Sequence, residues 1–194
     1  HASTLNGNGS LTLDAHDNLN IDATVAAPGN NAVTLTYADG GAGDYGFGLQ
    51  SGGFQGSLDF TGSGGGLSIN GAAYTLLYSL SDLSTIFAST SNYALAQTLD
   101  ASGTTYTGPV LASVWGVLTG LGHTVDNLTI NSTGDDVGLV GYNYSVLRDI
   151  GVRGGSISGG SDVGGLVGQN YNSTLHNVYS TASVSGAGSD VGGL

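Results

Sequence analysis

The chain has 194 residues, 39% of them apolar and only 8% charged, which excludes charged disorder and suffices for one domain with a sizeable core. All 14 acidic residues are aspartate, set against two arginines and no lysine, for a formal net charge of −12. That balance excludes nucleic acid and anionic membrane surfaces as partners, because phosphate binding needs a basic patch, and the lack of cysteine leaves no role for disulfides.

Glycine at 36 positions with proline at only 2 points to many tight turns between short strands. In the first third, "SLTLDA" (10–15), "AVTLTY" (32–37) and "SLDFTG" (57–62) superpose, as do "LNI" (19–21), "YGFGL" (45–49) and "LSI" (67–69). Leu13, Leu35 and Phe60 then fall at similar intervals, and so do Leu19, Tyr45 and Leu67. Alternation such as Leu11 and Leu13 turns one face of each strand inward.

The segment 74–90 breaks this pattern. Ser79 lies three positions before Asp82, as in a helix cap, and Leu80, Leu83, Ile86 and Phe87 sit at helical spacing. A short helix near 80–88 is predicted, followed by a return to strand at "YALAQTLDA" (93–101).

Beyond residue 110 a phrase recurs: "DDVGLVGYN" (135–143), "SDVGGLVGQN" (161–170) and "SDVGG" (189–193). A second block accompanies it as "VDNLTI" (125–130), "LRDIGV" (147–152) and "LHNVYS" (175–180). Both recur at intervals inside the range of roughly 20–50 residues that marks repeat architectures. Built from strands and turns, such a repeat is the signature of a solenoid, whose core exists only once coils stack. The predicted fold is an all-β, right-handed parallel β-helix with a helical excursion near 80–88. Leu139, Leu166 and Leu194 form one expected interior ladder; Val137, Val163 and Val191 form another.

"VGLVGYN" and "VGGLVGQN" resemble the GLUG repeat, and "LTGLGHTVDNLTI" (118–130) resembles the coil that precedes it. "NGAAYTLLYSLSDLSTI" with "NYALAQTLDASG" is similar to the segment ahead of GLUG repeats in filamentous-haemagglutinin-like exoproteins of two-partner secretion systems. The resemblance implies haemagglutinin-type coils over 1–73, a connecting segment over 74–109 and GLUG-type coils over 110–194. It also implies export past an outer-membrane transporter and a place on the bacterial surface, in adhesion or biofilm formation. On this reading the chain is a mature, monomeric piece of a longer array.

Several residue sets bear on chemistry. Stacked Asp136, Asp162 and Asp190 bring carboxylates to roughly 5 Å of one another, which either binds Ca²⁺ or reflects aspartates bonded within their own turns. The turn reading carries more weight, because repeat-type calcium sites favour G-G-x-G-x-D in tandem and "GGAGDYGFG" (40–48) occurs once. Asn127, Asp149 and Asn177 form a further expected turn ladder. Asp135 and Asp136 are adjacent carboxylates in a repeated turn, and His16, His123 and His176 are scattered, so no catalytic set or metal site is assigned. Sequons occur at Asn8, Asn127, Asn131, Asn143 and Asn172.

Trp115 is expected to face outward and Tyr144 and Tyr171 to form an external aromatic pair; these rings either bind sugar rings or, the reading that carries more weight, cover the flank of the coils or pack against the 80–88 segment. The sequence thus reads as an adhesin segment without enzymatic activity that binds extracellular polysaccharide or a cell-surface glycan. A β-helical polysaccharide lyase or glycosidase and a phage tail-fibre segment are the alternatives.

Overall fold

The computed structural model describes residues 3–5, 7–39, 41–86 and 89–194. Among them the fold is nearly all-β: short strands in several sheets and one helix, Leu80–Thr85. All but two of the strand pairs are parallel, the exceptions being Gly66–Ile69 with Ala72–Leu77 and Leu49–Gln50 with Gly53–Phe54.

From Leu111 onward the parallel pairs repeat at a nearly constant step. Leu111 lies beside Val140 and Val140 beside Val167. Leu118, Leu147 and Leu175 form a second column, and Ile130, Ile157 and Val184 a third. Each column puts like residues into the interior, where Leu111, Leu118, Leu139, Leu147 and Ile150 are fully enclosed. Burial of such side chains stabilises by about 1.5–3 kcal/mol each.

The largest sheet has eight strands and serves two cores. From Ser10–Asp14 through Ala32–Thr36 to Gly66–Ile69 the strands run one way. At Asn70 and Gly71, with φ of 46° and 77°, a two-residue turn reverses the chain. Asn-Gly favours this turn because both central residues need positive φ. Strands Ala72–Leu77, Asn92–Leu95, Leu118–Thr119, Val146–Arg148 and Thr174–His176 then continue the sheet in the opposite direction. Leu76 and Ala94 face the first core, with Phe47, Leu58 and Phe60; Leu77 and Leu95 face the second, with Leu111 and Leu118. Beyond the hairpin the strands run the other way, and Ala72–Leu77 and Asn92–Leu95 contribute to both cores, one on each face of the sheet.

The expected helix forms. Ser79 caps it, its hydroxyl accepting from the Asp82 amide at 3.1 Å, and Leu83 and Ile86 are buried. Phe87, counted in the predicted stripe, lies outside the described residues.

The column Val137, Val163 and Val191 pairs as expected, and Leu139 and Leu166 are both fully buried. Leu194, expected to extend their interior ladder, is exposed, as is Val191. Other registers differ from expectation. Leu13 does pair with Leu35 and Leu19 with Tyr45, but Leu35 continues to Ile69, whereas Leu58 pairs with Val25. Alternation identifies the inward face of a strand, not the wall it joins, so two walls of similar spacing are easily interchanged. Likewise Val125 pairs with Val152, not with Leu147, and Asn127 therefore does not stand beside Asp149. Asn127, Asp149 and Asn177 all occupy left-handed corners, with φ of 58°, 50° and 51°. The same corner chemistry at two different bends makes the blocks look equivalent.

Candidate functional site

Val114, Asn143 and Asn170 lie side by side on successive strands, so the residues after them, Trp115, Tyr144 and Tyr171, form an outward column. Trp115 stacks on Tyr144 with ring centroids 4.4 Å apart and planes inclined by 24°. Tyr171 meets Tyr144 edge-on at 5.9 Å and 62°. Tyr142, two positions before Tyr144, lies 5.8 Å from it at 11°. Trp115 and Tyr171 remain 46% and 57% exposed, as an outward orientation requires.

Beneath the rings an asparagine ladder sets the turn. Buried Asn143 donates through Nδ2 to Asn170 Oδ1 at 2.8 Å and accepts from the Ser145 amide at 3.3 Å. The Asn143 sequon is therefore closed to modification in the folded protein, whereas Asn8, Asn127, Asn131 and Asn172 are exposed.

A cleft of about 290 Å³ opens beside this column, lined by Trp115, Tyr142, Tyr144, Asp135, Asp136 and Pro109 among others. The Trp115 indole N–H donates to Ser113 Oγ at 3.0 Å. Tyr142 donates its hydroxyl proton to Asp136 Oδ2, and that bond first, with some burial, pushes the phenol up to about 12. Asp135 Oδ1 accepts from the Ser161 amide of the next coil at 2.6 Å. The cleft thus joins apolar ring surface to two carboxylates and contains no cationic side chain.

Asp136, Asp162 and Asp190 occupy equivalent corners with φ of 55°, 52° and 59°. Desolvation, then the charges of Asp136, Asp190 and Asp135, holds the Asp162 carboxyl above its ordinary range. The corner selects aspartate for its tolerance of the left-handed backbone. Among the described residues no group of three or more His or Asp side chains converges as a metal site.

Tyr142 and its bond to Asp136 are not singled out by the sequence reading. The signal available is the i, i+2 spacing of tyrosines in "GYNY", which puts both on one face of a strand. Nor does that reading assign Trp115 to the column of Tyr144 and Tyr171, although it precedes Tyr144 by one coil step.

A second polar cluster is structural. Arg148 lies on the shared sheet, facing the first core, and donates to Asp44 Oδ1 at 2.8 Å, the Tyr45 carbonyl at 2.6 Å and Asp149 Oδ2 at 2.7 Å. Its guanidinium also covers the Tyr45 ring at 3.7 Å. Burial opposes the Arg148 charge, but Tyr45, Asp149 and Asp44 outweigh it and raise its pKa above the ordinary value. Burial pushes the Asp149 carboxyl up, against the pull of Arg148. His123, also buried, binds the Leu58 carbonyl through Nε2 at 3.0 Å; burial lowers its pKa. These contacts join residues 44–59 to the strands beyond 118.

Residues 159–185 match the family described as the GLUG motif, in the coil that carries Asp162, Val163, Leu166 and Tyr171. The chain is similar to halomucin of Haloquadratum walsbyi (strain DSM 16790 / HBSQ001), 45% identical over 82 residues. That match covers 41% of this chain and 1% of halomucin, so the chain spans a very small part of that protein's length. No solved structure matches. Among the described residues no helix is long and apolar enough to cross a membrane.

Proposed function

We propose that this chain is a right-handed parallel β-solenoid segment of a secreted or cell-surface protein, serving as a rigid structural array in attachment to cells or matrix polysaccharide. The observation that carries the reading is the run of parallel pairs at a nearly constant step from Leu111 to Val184, because coils so stacked form a stiff, extended body. The likeness to halomucin and the GLUG match support an extracellular repeat protein.

Attachment is assigned to the column of Trp115, Tyr144 and Tyr171, where flat aromatic surface on a rigid sheet suits the apolar face of a sugar ring. The action is mechanical and multivalent rather than chemical: a long array presents weak sites many times over. The test is binding of the fragment to a broad glycan array, with and without Ca²⁺, beside Trp115→Ala. Selective binding lost in the variant is the expected result. Unchanged binding by Trp115→Ala overturns the assignment of the site, and a folded fragment that retains no glycan overturns attachment by this segment.

A further inference from the structure

We propose that the cleft beside Trp115 takes a sugar bearing a protonated amine, such as a hexosamine unit with a free amino group, and rejects acidic sugars. The inference rests on the carbohydrate reading given above and specifies its ligand. Three features of the cleft lead to it.

The first is charge. Asp135 and Asp136 both line the cleft, and no basic side chain does. The two arginines of the chain are committed elsewhere, Arg148 between the two cores and Arg153 to Asp126 on a different sheet. A uronate or sulfated sugar therefore meets only like charge. A neutral sugar covering these carboxylates strips them of water and returns no counter-charge. An ammonium group returns both the charge and the hydrogen-bond donors.

The second is shape. About 290 Å³ lies at the small end of ligand sites, room for a short stretch of sugar rather than a folded partner. The near-parallel rings of Trp115, Tyr142 and Tyr144 offer apolar and π surface, which attracts both sugar C–H groups and a cation. A pyranose ring with an amine presents those two features on one rigid frame, whereas a lysine side chain presents only the cation.

The third is the setting of Tyr142. Its proton is already given to Asp136, so its oxygen faces a ligand as an acceptor, and the shared bond fixes the carboxylate's position. The raised phenol pKa keeps the ring neutral throughout the physiological range. Oxygen acceptors therefore outnumber donors in the cleft, as recognition of –NH₃⁺ requires.

The test is calorimetric titration of the folded fragment with three tetrasaccharides: glucosamine, N-acetylglucosamine and galacturonate. Trp115 is the single tryptophan, so its fluorescence reports occupancy of the same cleft. Variants are Trp115→Ala, the pair Asp135→Asn with Asp136→Asn, and a charge-matched control, Asp14→Asn with Asp17→Asn, at two exposed positions outside the cleft. The expected result is binding of the glucosamine oligomer, about tenfold weaker binding of the acetylated one and none of the uronate. The first two variants lose at least about tenfold in glucosamine binding, and the control keeps it. Equal affinity for the free and acetylated amines overturns this inference while leaving carbohydrate attachment intact. A control that weakens as much as the cleft pair overturns it too, by showing adsorption to the acidic chain as a whole. No binding of any sugar by a folded fragment overturns the carbohydrate reading itself.

Discussion

Replacing Arg148 by methionine tests whether the two cores are held together by one buried guanidinium. Methionine keeps an apolar stem but removes the guanidinium over the Tyr45 ring and its bonds to Asp149, Asp44 and the Tyr45 carbonyl. Asp149 is fully buried, and without Arg148 its remaining side-chain donor is Asn177 Nδ2 at 3.2 Å. Breaking a buried pair from one side costs about 3–5 kcal/mol, because a charge is left without compensation. The Asp44 bond adds ~0–1 kcal/mol, its carboxylate being partly exposed. The expected loss is thus about 3–5 kcal/mol in urea denaturation followed by circular dichroism. Adding Asp149→Asn removes the stranded charge and keeps a residue that tolerates the left-handed corner, as Asn177 does at φ 51°. The double variant should recover at least half of the loss. The single variant's deficit should also shrink on acidification, because a carboxyl whose pKa is raised by folding is protonated more readily in the folded state. A single-variant loss below about 1 kcal/mol, the value of a surface pair, or a double variant no more stable than the single, refutes the reasoning.

Three other outcomes are expected. At the Asp162 corner, φ 52°, the variant Asp162→Gly should be more stable than Asp162→Ala by about 1 kcal/mol, since both remove the charge and only alanine strains the backbone; equal melting temperatures would contradict this. His123 has its pKa lowered by burial, so the stability it contributes is full above its unfolded value of about 6.5 and is lost as pH falls through the folded value. His123→Gln should flatten the stability profile below about pH 6.5, and an unchanged slope there argues against the assignment. With a net charge of −12, the melting temperature should rise from 0.01 to 1 M NaCl as the Debye length falls from about 30 to 3 Å. A flat or falling melting temperature would show that self-repulsion is negligible.

Much of the architecture follows from local rules that the sequence displays openly. The columns of Val137, Val163 and Val191, and of Leu139 and Leu166, are legible because the same phrase recurs at coil spacing. The helix Leu80–Thr85 is legible because its cap and its apolar stripe lie within one short window. The outward position of Trp115 follows from alternation beside buried Val114. What only the tertiary structure decided is which walls adjoin. Leu35 meets Ile69, not Phe60, and Val125 meets Val152, not Leu147, because alternation carries no information about the wall a strand joins. Arg148 reaches far back along the chain to Asp44, and Tyr142 shares its proton with an aspartate at a neighbouring corner. Those contacts depend on where the chain reverses at Asn70 and Gly71 and on how tightly successive coils stack, and such long-range choices are made by burial of the whole surface, not by any local phrase.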